Sequence, residues 1–295
     1  MRRFLQIMLL AALGVLPAVS AVAESDGVKA FKIGDVEVWA IADSISERDL
    51  SVFPAVTPEM AKEYVPHGKT PSAIMVFLIK MGDQLILVDT GLGGPASYML
   101  SGLTQTGFTP DDVTAVLVTH YHGDHIGGLL NGDDKVFPNA KIYSSQKEQV
   151  YWLDYDTMLA NPSRRGNFEL ARKVFDVYAE DNKVFDFNKT VLPGIKALDA
   201  GGHTPGQTVF LLESGDARLL LWADLTHAAA LQFPRPDINA RYDMNPEMAA
   251  AARLRYMEMA VADNLIIAGA HLPFPGVGRV VKTADGVFSY VPLSD

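Results

Sequence analysis

The sequence predicts one α/β domain in which sheets and helices are layered around a common core. Apolar residues make up 48% of the 295 residues, which is enough to fill a sizeable core. Strand-like and helix-like segments are interleaved along the chain, and no internal repeat, low-complexity tract or linker divides them. Layered α/β domains often reach this length as a single unit, so we expect one domain over residues 24–295.

The first 23 residues have the three-part pattern of a secretory signal peptide. Arg2 and Arg3 give a positive start, residues 4–19 are almost all apolar or small, and residues 21–23 form a small-residue cleavage site. The apolar stretch is short for a membrane span. We therefore expect cleavage of residues 1–23 and a periplasmic or secreted protein without a membrane span.

Strands in the first half of the chain are predicted from apolar runs separated by turn residues. Helices are predicted from apolar spacing, and Thr109 followed by Pro110 is typical of a helix start. The predicted elements are a hairpin over 32–42, a hairpin over 73–88, helices over 96–106 and from Thr109, and a strand over 115–119. The last of these strands is continuously apolar and ends directly before His120.

The second half repeats this alternation of strands and helices. The predicted strands lie at 140–144, 194–198, 208–213, 218–222, 265–268, 279–282 and 287–291. The predicted helices lie at 145–153, between the polar stretch 161–166 and residue 179, and at 246–261. The long helix is rich in alanine, methionine, glutamate and arginine, which favour helices.

Charge and cysteine content exclude several kinds of chemistry. The formal net charge is −10, and an acidic surface repels phosphate backbones, so we expect no nucleic-acid partner. The chain contains no cysteine, so it has neither disulfides nor a thiolate nucleophile or ligand. Any metal ion must be bound by histidine and carboxylate side chains.

The segment HYHGDH, residues 120–125, concentrates metal-binding chemistry directly after a buried strand. It holds three of the seven histidines, with His120 and His122 spaced so that both face one metal ion. Asp124 and His125 follow a glycine turn and can face a second ion. Imidazole and carboxylate together suit zinc and related divalent ions.

Three further ligand-type residues stand at the ends of predicted strands. His203 follows one strand within Gly-Gly-His-Thr-Pro-Gly, Asp224 ends the second strand of a hairpin, and His271 follows another strand. A lone loop histidine is usually only hydrogen-bonded. The recurrence at strand ends favours ligands instead.

Together with Asp89-Thr90-Gly91, these residues resemble the metallo-β-lactamase fold, in the order usual for it. The resemblance covers nearly the whole chain after the signal. It implies an αββα sandwich of two mixed sheets flanked by helices, and two divalent metal ions. The implied roles are one metal on His120, His122 and His203, a second on Asp124, His125 and His271, Asp224 bridging both, and Asp89 orienting a ligand histidine.

Longer stretches are similar to the methyl parathion hydrolase branch of that fold. They include 136–140, 192–198, 202–206, 224–233 and 271–276. The branch implies an exported homodimer that hydrolyses phosphotriesters, lactones or aryl esters with a hydroxide bridging two metals. Asp124 or Asp224 would transfer protons. Zinc is the expected metal, with iron, manganese or cobalt as alternatives.

The substrate pocket is less clearly indicated. The branch lines its leaving-group pocket with aromatic residues, and Trp152 and Phe168 lie near the matching positions. A tryptophan there can equally belong to the core. His227 stands where an apolar pocket residue is expected, and it is either a substrate or proton-transfer contact or a polar edge. This change favours a lactone or an ester over a phosphotriester as the native substrate.

The same residues are compatible with other functions of the same fold. A zinc β-lactamase is compatible with export, although familiar forms often use a cysteine ligand that this chain lacks. A glutathione thioester hydrolase or persulfide dioxygenase would not need a signal peptide, and a nuclease would need a basic groove. The non-enzyme alternative is a metal-binding relic of the fold. The complete set of seven ligand positions favours an enzyme.

Overall fold

Two large β-sheets form the centre of the fold, in a computed structural model that describes residues 21–25 and 27–293. The strands are β1 (Ala21–Ser25), β2 (Val28–Ile33), β3 (Val36–Asp49), β4 (Lys69–Met81), β5 (Gln84–Val88), β6 (Ala115–Leu117), β7 (Leu130–Asn131), β8 (Asp134–Lys135), β9 (Lys141–Ser145), β10 (Asn182–Phe185), β11 (Lys189–Leu192), β12 (Ile195–Asp199), β13 (Thr208–Ser214), β14 (Ala217–Leu221), β15 (Ile266–Ala268), β16 (Val277–Lys282) and β17 (Phe288–Pro292). The α-helices are α1 (Pro58–Tyr64), α2 (Met99–Gln105), α3 (Gly123–Ile126), α4 (Gln146–Leu153), α5 (Tyr155–Ala160), α6 (Arg165–Val177), α7 (Ala229–Gln232) and α8 (Pro246–Ala262).

Both large sheets are mixed. The first has the order β1-β2-β3-β4-β5-β6-β9-β10, and the second runs from β11 to β17 in sequence order. In the first sheet β5, β6, β9 and β10 are parallel neighbours, whereas the pairs from β1 to β5 are antiparallel. In the second sheet β14 and β15 form a parallel pair. Parallel neighbours require crossover connections, which the helices provide.

The side chains of β4 show why the sheets are layered. Successive strand residues point to opposite faces. Met75 and Phe77 therefore contact the core between the two sheets, while Val76 and Leu78 contact the core beneath α2, α4 and α6. A third core lies between the second sheet and α8. The molecule is thus an αββα sandwich, as expected from the sequence.

Most predicted elements are confirmed, and the differences have local causes. The helix predicted from Thr109 is a single turn of 3-10 helix, Pro110–Asp112, because the chain extends again at Val113 to enter β6. Helices α1 and α5 and strands β10 and β11 were not expected, since each is short and carries mixed polar and apolar residues. Residues 1–20 of the predicted signal peptide lie outside the described part. The predicted cleavage point after residue 23 falls within β1 and stays a prediction.

One edge of the sandwich collects five segments, of which four carry candidate ligands and one carries Asp89. These segments follow β5, β6, β12, β14 and β15. Two non-glycine residues at this edge have positive φ angles, Asp89 at 59° and Ala223 at 51°. Such angles are uncommon outside glycine and often mark functional sites. Among the described helices, none has the length and apolarity needed to cross a membrane.

Candidate metal centre

The loop after β6 is fixed by side-chain hydrogen bonds before it reaches the first histidine. Asp89 accepts hydrogen bonds from the backbone N–H of Thr119 (2.8 Å) and from its hydroxyl (2.7 Å). The Thr119 hydroxyl in turn lies 3.1 Å from Nδ1 of His120 and accepts its N–H. This leaves Nε2 of His120 free to face the loop that begins α3.

The first group of ligand atoms gathers His120, His122, His203 and Asp224. Their candidate donor atoms all lie within 4.8 Å of one another. Nδ1 of His122 is 3.1 Å from Nε2 of His120 and 2.9 Å from Nε2 of His203. Nε2 of His203 is 3.3 Å from an oxygen of Asp224.

The second group gathers Asp124, His125 and His271, also within 4.8 Å of one another. Nε2 of His271 lies 3.5 Å from Asp124 and 3.1 Å from Asp224. Nε2 of His125 lies 3.2 Å from the other oxygen of Asp224. Asp224 therefore lies between the two groups, which is the position that the family resemblance implies for a bridging carboxylate.

The donor chemistry fits divalent metal ions. Nε2 of His125 and Oδ1 of Asp224 are buried and have no hydrogen-bond partner within the described residues. An unpaired buried polar atom is costly, and a bound cation removes that cost. The two groups offer imidazole nitrogens and carboxylate oxygens, which suit zinc and its first-row neighbours. These His and Asp groups can hold two metal ions.

Burial and the neighbouring charges together set the protonation states of the candidate ligands. Burial lowers the pKa of His120 and His122 well below the ordinary histidine value, and neighbouring imidazoles lower it further. Both are therefore neutral near pH 7. Burial alone would raise the pKa of Asp224, but His271 and His125 hold it well below the usual range. For His203, burial opposes protonation, but the neighbouring carboxylates of Asp224 and Asp243 outweigh burial and raise the pKa of His203 to about 9.

In His125 and His271, the Nδ1 nitrogen, which is not the candidate metal-binding atom, donates a hydrogen bond to a fixed acceptor. Nδ1 of His125 donates to Asp89 (2.8 Å), so Asp89 has the orienting position predicted for it. Nδ1 of His271 donates to the carbonyl oxygen of Ala73 (2.8 Å). Such contacts fix the ring orientation and the tautomer that presents the other nitrogen.

Asp243 has the same relation to His203 and was not expected. Its Oδ1 accepts the Nδ1–H of His203 at 2.9 Å, and its Oδ2 lies 3.5 Å from the buried guanidinium of Arg253. Asp243 stands in the loop before α8, without any recognisable motif. The one sequence signal near Asp243 is the helix N-cap Asn245, two residues later, which indicates that the loop before α8 is ordered.

Glu148 is a second buried carboxylate that the sequence did not indicate. It accepts hydrogen bonds from the N–H of Tyr121 (3.1 Å), the N–H of Gly206 (2.7 Å) and the indole of Trp152 (2.6 Å). Burial raises its pKa. Glu148 thereby joins the loop of His122 to the loop of His203.

Trp152 and Phe168, predicted as pocket residues, lie instead in the core beneath the site. Both are fully buried, with ring centroids 4.7 Å apart. The rings of Trp152 and His122 lie in a T-shaped arrangement with their centroids 5.7 Å apart. Because its N–H is bonded to Glu148, the indole supports the metal-binding loop from below and does not line the cavity.

The cavity above the site has a volume of about 730 Å³. His227 lines it, as predicted. Both ring nitrogens of His227 are buried and have no hydrogen-bond partner among the described residues, although Nε2 is 3.2 Å from Asp224. Burial lowers the pKa of His227 to about 4. The other lining residues are Arg48, Ile74, Leu92, His122, Gly123, Asp124, Ser163, Arg164, Asn167, Leu170, His203, Asp224, Arg241, Tyr242 and His271. The three arginines were not anticipated because they come from separate segments.

A family comparison matches residues 70–270 to the metallo-beta-lactamase superfamily. This match covers most of the chain and six of the seven candidate ligands, and it ends one residue before the seventh, His271. The chain belongs to the metallo-β-lactamase superfamily. Its sheets, helices and His/Asp groups are those of a superfamily hydrolase.

Solved superfamily members have the same architecture over nearly the whole chain. AidC, described as a dizinc quorum-quenching lactonase in complex with a product, is 29% identical with a TM-score of 0.83. The alignment covers 91% of this chain and 98% of AidC. The hydrolase AbOPH is 27% identical with a TM-score of 0.86, covering 92% of this chain and 99% of that protein.

Curated relatives in the superfamily match over a shorter span. An N-acyl homoserine lactonase of Bacillus thuringiensis is 26% identical over 170 residues, covering 57% of this chain and 60% of the relative. The uncharacterized protein YobT of Bacillus subtilis is 25% identical over 174 residues, covering 57% of this chain and 65% of YobT. The chain thus spans less than two thirds of these relatives.

Proposed function

We propose that this protein is an exported two-metal hydrolase whose first substrates are lactones, with aryl esters and phosphotriesters as further candidates. One observation carries the proposal. The carboxylate of Asp224 lies between two groups of histidine and aspartate donors at the floor of an open cavity. The similarity to a dizinc lactonase and to a lactonase of Bacillus thuringiensis supports the lactone assignment. The methyl parathion hydrolase resemblance supports the wider ester range.

The metal-binding residues define where the reaction takes place. We assign His120, His122 and His203 to one ion, Asp124, His125 and His271 to the other, and Asp224 to both. Two divalent cations held there, with zinc as the first choice, would supply Lewis-acid polarisation of a carbonyl or phosphoryl oxygen and would make water nucleophilic near neutral pH. Asp89 and Asp243 hold His125 and His203 in the ligating orientation.

Asp124 is the residue we assign to proton transfer. Its side chain is 28% exposed and lines the cavity, whereas that of Asp224 is only 3% exposed and surrounded by imidazoles. Asp124 can therefore accept a proton from the attacking water and pass it to the leaving group. His227 is neutral at pH 7 and is assigned to a hydrogen bond with the substrate.

A substrate panel tests the function. One lactone, one aryl ester, one phosphotriester and one β-lactam are offered in parallel to the zinc-loaded protein. We expect the highest kcat/KM for the lactone. Preferential turnover of the β-lactam would assign the zinc β-lactamase alternative. A metal-loaded protein inert towards all four would identify a metal-binding relic and refute the hydrolase proposal.

Export and dimer formation belong to the same proposal. The signal-like residues 1–23 support export, and the methyl parathion hydrolase resemblance supports a homodimer. Amino-terminal sequencing of the protein from a periplasmic fraction should find Glu24 first. Light scattering of the purified protein should give twice the mass of the mature chain. A monomer would refute the dimer without affecting the hydrolase proposal.

A further inference from the structure

We propose that the cavity above the metal centre binds substrates that carry a carboxylate, and that Arg48 and Arg241 bind this group. The inference rests on the proposed hydrolase function and narrows its substrates to acidic esters or lactones. It comes from the charges of the cavity wall, which lie outside the seven candidate ligands.

The cavity differs in charge from the rest of the protein. Three guanidinium groups line it, from Arg48, Arg164 and Arg241. The acidic residues in the same lining are Asp124 and Asp224, both candidate metal ligands whose charge bound cations offset. The whole chain has a net charge of −10. A cleft of the opposite sign attracts anionic ligands and raises their local concentration.

These three arginines also lack the acidic partners that four other described arginines of the protein have. Elsewhere, Arg165 pairs with Glu169, Arg218 with Asp263, Arg235 with Asp237, and Arg253 with Asp243. Within the part of the chain that the structure describes, no salt bridge connects Arg48, Arg164 or Arg241 to an acidic side chain. Their charge is available to a ligand in the cavity.

The surrounding contacts place Arg48 beside the segment that carries Arg241. Nη2 of Arg48 is 3.3 Å from the Ser72 hydroxyl and 3.3 Å from Nδ1 of His271. Its Cζ lies 5.8 Å from the ring centroid of Tyr242, the neighbour of Arg241 in the sequence.

Arg241 is held from the other side by the segment after β3. Its backbone N–H donates to the carbonyl oxygen of Val52 at 2.8 Å, and its guanidinium donates to the carbonyl oxygen of Ser51. A guanidinium has five N–H donors, so both arginines retain donors for a ligand.

The position of Arg48 sets the distance between the bound anion and the reacting bond. Because Arg48 contacts the candidate ligand His271, a carboxylate on Arg48 lies next to the metal centre. The planar guanidinium matches a carboxylate with two parallel hydrogen bonds, which favours it over a single-point contact. The favoured substrate therefore has its acidic group a few bonds from the ester carbonyl.

A matched pair of esters tests this specificity in the zinc-loaded protein. The probes are 4-nitrophenyl butyrate and the mono-4-nitrophenyl ester of glutaric acid, which differ mainly by one carboxylate. We expect a higher kcat/KM for the acidic ester, and we expect salt to reduce this preference. In Arg48→Gln and in Arg241→Gln the acidic-to-neutral ratio should fall by about 10- to 100-fold, largely through KM. Arg48→Lys should retain part of the ratio.

Arg218→Gln is the matched control, because it removes one positive charge from a pair far from the cavity lining. It should leave the ratio unchanged. The proposal is wrong if the wild-type protein prefers the neutral ester, or if both cavity variants keep the wild-type ratio. Far-UV circular dichroism of each variant distinguishes lost specificity from lost folding, and the exposed position of Arg241 makes its variant the safer of the two.

A binding measurement separates this inference from the hydrolase proposal. Calorimetric titration of the zinc-loaded protein with glutarate and with butyrate compares the affinities for two acids that differ by one carboxylate. The carboxylate site is supported if glutarate binds more tightly than butyrate and if its affinity falls about 10-fold or more in Arg241→Gln. This result supports the site even if neither ester is hydrolysed. Equal binding of the two acids refutes the site even if both esters are hydrolysed.

Discussion

Asp224 is the single residue on which both groups of candidate ligands depend. Its two oxygens lie 3.1–3.3 Å from nitrogens of His125, His203 and His271, and its side chain is only 3% exposed. No water can easily replace a carboxylate at so enclosed a position. The loss of this side chain therefore affects both metal ions, whereas the loss of a terminal ligand affects one.

We expect Asp224→Ala and His122→Ala to abolish hydrolysis of every substrate together. The loss should exceed the roughly 10- to 100-fold effect of changing residues that only support ligands. Steady-state rates and zinc content measure the outcome. His67→Ala, which changes an exposed loop histidine, is the control and should have wild-type rates. Near-normal rates in either ligand variant would contradict the site assignment.

A milder effect is expected at Asp243. In Asp243→Asn the acceptor for Nδ1 of His203 loses its charge, so the ligand orientation is held less firmly. Zinc affinity should fall by about 10- to 100-fold. A competition titration with a chromogenic chelator measures this affinity, with the exposed Asp216→Asn as control. If Asp243→Asn bound zinc as tightly as the control, Asp243 would be only a structural residue.

The elements around the site meet with little free space, most closely where α3 approaches the turn after β5. Thr90 donates from its backbone N–H (2.7 Å) and its hydroxyl (2.9 Å) to the carbonyl oxygen of His125. A Cβ added at Gly128 would lie 2.0 Å from the carbonyl oxygen of Thr90. The glycine therefore allows the approach that places His125.

Gly128→Ala should lower the free energy of unfolding by about 1–3 kcal/mol, because backbone atoms must move to accommodate the methyl group. Urea denaturation measures the change. Gly166→Ala is the matched control: its Cβ would meet nothing within 4 Å, and it lies in α6, where alanine favours the helix by about 1 kcal/mol. Equal free energies of unfolding for the two variants would show that the turn accommodates the methyl group without loss of stability.

Strand patterns made much of the fold predictable, and the four predicted strands that end near residues 120, 203, 224 and 271 also indicated residues able to bind metal. All seven predicted ligands lie in the two groups for this reason. Asp243, Glu148 and the cavity arginines could not be predicted in the same way. Each acts through a residue between 27 and more than 200 positions distant, and no local spacing records such contacts. Burial of Trp152 was likewise undecidable, since pocket and core tryptophans share the same sequence pattern.

At the scale of the whole molecule, metal binding should stabilise the fold. The candidate ligands come from residues 120–271, and only the folded chain brings them together. A ligand that binds the folded state alone stabilises it by about 2.7 kcal/mol at 100 times its Kd.

Removal of the metal with a chelator should therefore abolish activity and lower Tm, and zinc should restore both. Differential scanning calorimetry measures the shift. His122→Ala should show a smaller shift than wild type, since one complete ion site is missing. An unchanged Tm after verified metal removal would contradict the proposed coupling.

The origin of the ligands in the two sheets has a consequence for how the metal is acquired. His120, His122, Asp124 and His125 follow a strand of the first sheet, whereas His203, Asp224 and His271 follow strands of the second. Each ion site therefore draws donors from both halves of the sandwich, and neither half holds a complete site. We therefore expect complete metal sites to form only after the halves have docked. On this expectation, the metal supply of the compartment in which folding is completed selects the ion.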